Sequence, residues 1–493
     1  MAESWDQRAA PTPEPWLETA IAARRNGDLA QAAQVLDRAL TTASRHPIAL
    51  RLRARVALER GEADALGRFD AALRAEPGNA DLHLGKAQAL DLAGDAKGAR
   101  IVARQISEQA PGFIAALSFL SGLYLADGEA DFTAPFAAAA EKAPQDPNIL
   151  AGWIDALAGI ERFAEAAAIA AGARACFPAE PHFALLEAMH AGAAGDWTRA
   201  EAIFEGLPTQ SAPRWLAEAR HRLRAGDAKP AEALVDRALE RAPADIAAWA
   251  LMGVIWRLSE DPRSQEQAHW LHEQAGLVQF VPLEAEPGVL ERARARLEEL
   301  HKTTATPLNQ SVRGGSQTRG VLFQRPDPAL SRLHEAIRAT LETYRRKLPP
   351  ADPAHPLLAQ REAPWRLAGS WSVRLKGAGD HHAAHIHPAG LISSALYLAL
   401  PPQTHGQGAD DAPSGDAQPG ALELGRPPAD LGLELAPIAT LRPQEGYLAL
   451  FPSTLYHGTL ALSEPRSPRD QRASASPARL TVAFDVITND AQV

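Results

Sequence analysis

The stretch HIHPAGLISSALYL, residues 385–398, opens with two histidines one residue apart and runs on into small and apolar residues. In an extended chain successive side chains point to opposite faces, so His385 and His387 project to one side and Ile386 to the other. That makes a bidentate imidazole pair. A third histidine stands 70 residues after the second, His457 in FPSTLYHGT (451–459). On a neighbouring strand of a β-lined cup it completes a three-histidine metal face and leaves positions open for substrate or dioxygen. Imidazole suits iron, copper, zinc or nickel, so the donors alone leave the metal undecided. His381 and His382, just upstream, read as a solvated loop.

The surrounding sequence supports a strand-rich domain. LAGSWSVRLKG (367–377), GYLALFPSTLYHGTL (446–460) and ARLTVAFDVI (478–487) are short, β-rich and bounded by Gly/Pro-rich loops. Amphipathic helices are predicted before them at about 287–301 and 328–347, with the glycine-rich SVRGGSQTRG (311–320) between. Two loops of low apolar content, 403–420 and 463–477, are expected to be mobile, the second placed to close as a lid. Arg479 and Thr481 share a strand face. A buried guanidinium with a hydroxyl beside it is a receptor for a carboxylate, because the fork offers two parallel charge-assisted donors. Ser393, Tyr397 and Tyr447 are residue types suited to a pocket wall. Trp371 and Arg374 face opposite sides of their strand, so one of them points inward.

Residues 15–260 are alanine-rich and repetitive. Turns centred on Gly27, Gly61, Gly94, Gly128, Glu161, Gly195 and Gly226 are separated by 34, 33, 34, 33, 34 and 31 residues. Prolines at 47, 77, 111, 144, 178 and 243 fall between them, where one helical pair ends and the next begins. Counted from the turns, small or apolar trios recur, among them Ala166, Ala170, Ala173 and Ala231, Val235, Ala238. Steps of four and then three place each trio on one helical face, small where two helices approach closely. Units that cannot bury a face alone must stack into a solenoid.

A chain of 493 residues exceeds one hydrophobic core. The expected division is an N-terminal stretch (1–14), helical repeats (15–260), a connector with a helix (261–300) and a strand domain (301–493). With 46% apolar and 22% charged residues the composition is that of a globular protein. A formal charge of -10 disfavours nonspecific attraction to nucleic acid or anionic lipid. No apolar run reaches the roughly 18 residues of a membrane span. The single cysteine, Cys176, offers neither an internal disulfide nor a thiolate cluster. A cytoplasmic protein is expected.

The repeat array resembles tetratricopeptide repeats, with Trp249, Gly253 and Trp256 matching the first-helix pattern in the last unit, and with Thr133 and Glu161 departing from it. This likeness implies a concave surface for a peptide or protein partner, or a homodimer contact. The blocks WSVRLKG (371–377), HIHPAGLISSALYL, GYLALFPSTLYHGT and RLTVAFD (479–485), preceded by RGGSQTRGVLF (313–323), resemble a bacterial and phage branch of the Fe(II)/2-oxoglutarate-dependent oxygenases. That resemblance implies a double-stranded β-helix (jelly-roll, cupin-like) and Fe(II) on His385, His387 and His457. It further implies 2-oxoglutarate held by Arg479 with help from Thr481, and dioxygen as co-reactant. By residue type and strand position, Ser393 and Tyr397 are expected near the cosubstrate, with Arg374 and Tyr447 at the pocket. Most of the superfamily carries Asp or Glu where His387 stands, so either His387 coordinates, giving a three-histidine face, or it stands behind the ligands and water or another group fills its place. The alternatives are an interaction scaffold that has lost turnover, and a three-histidine iron dioxygenase that uses no 2-oxoglutarate.

Overall fold

The computed structural model describes residues 15–208, 210–304, 308, 310–401, 419–463 and 478–488. Both loops expected to be mobile, 403–420 and 463–477, lie outside these residues except at their edges, and the proposed lid with them.

Residues 15–258 fold into stacked helical pairs, from Pro15–Arg25 with Leu29–Thr42 to Ala212–Arg224 with Ala228–Arg241, followed by Ile246–Leu258. The turn inside each pair is made in one way. Glu62, Asp95, Glu129, Arg162, Asp196 and Asp227 each donate a backbone N–H to a carbonyl five residues back, at 2.9 to 3.0 Å. This closes a Schellman-type end that places the preceding residue in the left-handed region. Glycine fills that place at 61, 94, 128, 195 and 226, and Glu161 fills it with φ 65°. Behind the turns, Ala166, Ala170, Ala173, Ala231, Val235 and Ala238 are fully buried, which is how the trios let helices close on one another. Gly85 marks the same tightness, since a Cβ there would stand 2.1 Å from the Phe69 ring. No described helix is long and apolar enough to cross a membrane.

The strands are β1 (Gln279–Pro282), β2 (Val312–Arg313), β3 (Ser316–Gln317), β4 (Trp365–Leu375), β5 (His381–His382), β6 (Ile392–Ala399), β7 (Leu422–Leu424), β8 (Ala439–Leu441), β9 (Tyr447–Pro452), β10 (His457–Thr459) and β11 (Arg479–Thr488). They form an antiparallel sheet in the order β1-β9-β6-β11-β4-β3, a smaller sheet β10-β7-β8 and the pair β2-β5. The stretch read as a connector is thus partly built into the large sheet, through β1 on β9. Alternation along β11 sorts its two faces. Leu480, Val482, Phe484 and Val486 pack against Leu297, Leu333, Ile337 and Leu341 of the helices Val289–Leu300 and Pro328–Lys347, in one apolar core. On the other side, Leu422 and Leu424 of β7 pack on Ala449 and Phe451 of β9, joining the two sheets. The result is the two-layered β architecture expected, with helices on its outer face.

The helical array grips this domain along one edge, with the C-terminal ends of the first helices in the pairs. The Val321 N–H donates to the Glu59 carbonyl at 3.3 Å, and Arg319 pairs with buried Asp91. Arg220 and Arg224 both bind the Asp430 carboxylate, at 2.8 and 2.6 Å, and Arg257 donates to the Gly425 and Ala436 carbonyls. Arg313 pairs with Glu161 at 2.5 Å, across 152 residues of sequence.

Glu161 is the sole non-glycine with positive φ among the described residues. A left-handed conformation costs an L-residue roughly 1–2 kcal/mol, whereas a partly exposed ion pair returns about 0–1 kcal/mol. Glu161→Gly is therefore expected to raise unfolding stability by roughly 1 kcal/mol in a urea titration.

Candidate metal centre and anion pocket

His385 and His387 lie in the loop that leads into β6, not in the strand itself. What orients them is an isolated antiparallel bridge: the His385 N–H donates to the His457 carbonyl at 3.0 Å, and the His457 N–H donates back at 2.9 Å. The bridge sets the three rings together, with centroids 4.3 Å apart for 385 and 457 and 5.0 Å for the other two pairs. One nitrogen from each ring lies within 4.8 Å of the others.

The outward nitrogens decide which ones are left for a metal. Nδ1 of His385 contacts the Ala383 carbonyl at 2.8 Å, and Nδ1 of His457 the Leu455 carbonyl at 3.1 Å. A carbonyl only accepts, so both Nδ1 atoms carry hydrogen, and each neutral ring presents the lone pair of Nε2 inward. Nδ1 of His387 is held by the Asp485 carboxylate. The Nε2 atoms of His385 and His387 then face one another at 3.0 Å, an arrangement that a shared cation between them satisfies. Removal from water keeps the His385 and His457 rings neutral, as metal binding requires. Burial, with His387 nearby, pushes His385 down to about 3, and burial with His385 nearby holds His457 well below the ordinary imidazole range.

These side chains line a cavity of about 820 Å³, within the usual range for small-molecule sites. Arg479 lines it too. The guanidinium is buried, donates to the Gly420 carbonyl at 2.8 Å, and has no carboxylate partner among the described residues. Its Nε and the hydroxyl of Tyr397, whose ring centroid is 5.2 Å from the guanidinium carbon, are both buried without a hydrogen-bond partner there. Burial lowers the Arg479 pKa, the sign of a cation short of compensation. A carboxylate ligand fits this place. Thr481 also lines the cavity, its hydroxyl 3.5 Å from the Val373 carbonyl.

Other expected residues lie elsewhere. Trp371 is the member of its pair that points inward, its ring 5.5 Å from that of His387, whereas Arg374 is off the cavity on the side of His301. Ser393 is fully buried and bonded to Ser453 at 2.9 Å, away from the cavity. Tyr447 packs on Phe280 at the far end of β9, its ring 5.1 Å away. His382, read as solvated, instead pairs in β5 with β2 and lines the cavity, because Val312 recruits its backbone. Residues of the array line it as well: Asp155, Ala158, Gly159 and Glu161 form part of the wall.

Residues 369–485 match the family model described as "Putative 2OG-Fe(II) oxygenase", and residues 17–65 and 62–123 match two tetratricopeptide repeat models. The chain joins tetratricopeptide repeats to a domain of the 2OG-Fe(II) oxygenase type. All three histidines, Arg479 and Asp485 fall inside the oxygenase match. Among solved structures, the chain is similar to a tetratricopeptide repeat protein from Parabacteroides merdae, at 16% identity and TM-score 0.30, over 51% of this chain and 96% of that one. It is similar also to PilW, a type IV pilus biogenesis factor, at 18% identity and TM-score 0.31, over 39% and 90%. A Thermobaculum terrenum O-GlcNAc transferase mutant matches at 24% identity and TM-score 0.24, over 26% and 25%. No curated protein matches the chain.

A buried guanidinium with no carboxylate partner among the described residues yields a stability prediction. Arg479→Met removes a buried charge at similar length, and with it the cost of holding that charge away from water. The variant is expected to melt no lower than the parent without ligand, and to lose any rise in melting temperature that 2-oxoglutarate gives the parent in the presence of Co(II).

Proposed function

We propose that this chain is a 2-oxoglutarate-dependent Fe(II) dioxygenase that hydroxylates a peptide or protein side chain brought to the cavity by the helical array. One observation carries the reading: three imidazole nitrogens converge in the same cavity as a buried arginine that has no carboxylate partner among the described residues. Under this reading His385, His387 and His457 hold the metal, and Arg479, with Tyr397 beneath it and Thr481 beside it, receives the distal carboxylate of the cosubstrate. Bound there, ferrous iron and 2-oxoglutarate supply the oxidising chemistry, in which dioxygen is consumed in decarboxylating the cosubstrate to succinate and in hydroxylating a C–H bond.

The protein's own part is placement and exclusion of water. The backbone carbonyls of Ala383 and Leu455 fix two ligand rings, and Trp371 and Ile386 give the cavity apolar walls. The wall formed by Asp155, Ala158, Gly159 and Glu161 supports recruitment through the repeats, because a macromolecule held by the array meets the cavity without leaving it. A three-histidine dioxygenase that uses no cosubstrate would keep Arg479 as a buried cation without employment, which favours the 2-oxoglutarate reading over that alternative.

The test is spectroscopic. Under anaerobic conditions the purified protein with Fe(II) and 2-oxoglutarate is expected to develop a weak visible charge-transfer band, and Arg479→Ala to abolish it. On admitting air, the parent should form succinate above background. A parent protein with neither band nor succinate would return the chain to the class of interaction scaffolds.

A further inference from the structure

β11 presents Arg479, Thr481, Ala483 and Asp485 at every second position, and all four line the cavity. At about 3.3 Å per residue, six residues separate the two charged ends by roughly 20 Å of strand, so Asp485 is not the counter-ion of Arg479. It is committed to His387 instead. The three candidate ligands are thus supported unequally. His385 and His457 lean on neutral carbonyls two residues upstream in their own chain segments, whereas His387 leans on a carboxylate 98 residues away. His387 is also the one that stands where most of the superfamily has an acidic ligand.

We infer that Asp485 is the carboxylate of this metal centre, acting one bond removed: a positioning residue that holds the His387 ring by Nδ1, aims its Nε2 at those of His385 and His457, and lends the imidazole anionic character. Outer carboxylates behind ligating histidines fix ring orientation and raise ligand basicity, and their loss typically weakens metal binding 10–100-fold. The tertiary placement makes this support rigid. Main-chain bonds from β4 and β6 hold β11 on both sides, with the irregularity of the β4 pairing falling between Asp485 and Val486, next to the residue aimed at His387. The Cβ of Asp485 also approaches Gly390, where a Cβ on the glycine would meet it at 3.6 Å, so the loop carrying His387 packs directly onto its support.

The inference rests on the metal reading above, and its test separates the two. Co(II) is titrated into the full-length parent and into Asp485→Ala and Asp485→Asn, with a competing chelator to give affinities and with the visible ligand-field spectrum recorded for each complex. Asp485→Ala is expected to bind Co(II) about 10–100-fold more weakly, with an altered spectrum. Asp485→Asn keeps an acceptor without the charge, and is expected to recover part of the affinity. Melting of the three metal-free proteins guards against misfolding, and should Asp485→Ala fail to fold, the near-isosteric Asp485→Asn decides by its own loss of affinity. Variants that bind Co(II) as tightly as the parent, with the same spectrum, overturn the role of Asp485 while leaving the metal centre intact, even if they melt at lower temperature. A parent that takes up no Co(II) overturns the metal reading itself, and this inference with it.

Discussion

The convergence of the three histidines depends on a pair of backbone hydrogen bonds between His385 and His457. They turn two histidines distant in sequence into neighbours. Imidazoles whose donors converge before an ion arrives bind it more tightly, since ordering them afterwards would consume binding energy. The bridge does this with main chain, leaving every ring free to be aimed by what stands behind it. The Gly458 backbone meets the segment at residues 382–384 so closely that a Cβ there would be 3.0 Å from the His382 carbonyl oxygen, which keeps bulk out of the seam.

Around that seam the two halves of the chain are mutually supporting. The array does not hang from the strand domain as a free arm; the first helices of its pairs reach the domain through Asp91, Arg220, Arg224 and Arg257, and one turn through Glu161. Arg220 also donates to the hydroxyl of Tyr456 at 3.3 Å, the residue next to His457, so the grip extends to the strand that carries this histidine. Asp430 is nearly enclosed and carries two guanidinium partners, an arrangement in which each member would be costly if left alone. The conformational strain accepted at Glu161 fits the same picture. A non-glycine persists in a left-handed turn when its surroundings hold it there, and such residues gather near functional sites; this one bonds Arg313 and lines the cavity.

β11 shows how one strand serves three purposes through alternation alone. Its even-numbered apolar residues seal the helical face, its odd-numbered polar ones face the cavity, and its main chain ties β4 to β6. The period was legible as far as Arg479 and Thr481, and the same rule extended two and four residues further reaches Ala483 and Asp485. The carboxylate missing from the histidine motif was therefore written in RLTVAFD, though nothing in a linear reading says which histidine it would meet. Ser393 illustrates the opposite failure. It lies on the same phase of β6 as Ala395 and Tyr397, yet the hydroxyl of Ser453, in the turn just after β9, takes it up. His382 likewise turned inward because β2, only two residues long, pairs with it.

Period and residue chemistry were fixed by the sequence itself: glycine spacing near 34 residues, alanine trios and alternating strands require particular backbone geometries wherever they occur, so the solenoid, the strand domain and the three histidines could be read locally. Tertiary structure alone decided which distant groups became partners. Asp485 behind His387, Arg479 without a carboxylate partner among the described residues, and a repeat turn forming part of the cavity wall each depend on segments tens to hundreds of residues apart, whose meeting is set by packing and sheet order rather than by any local preference.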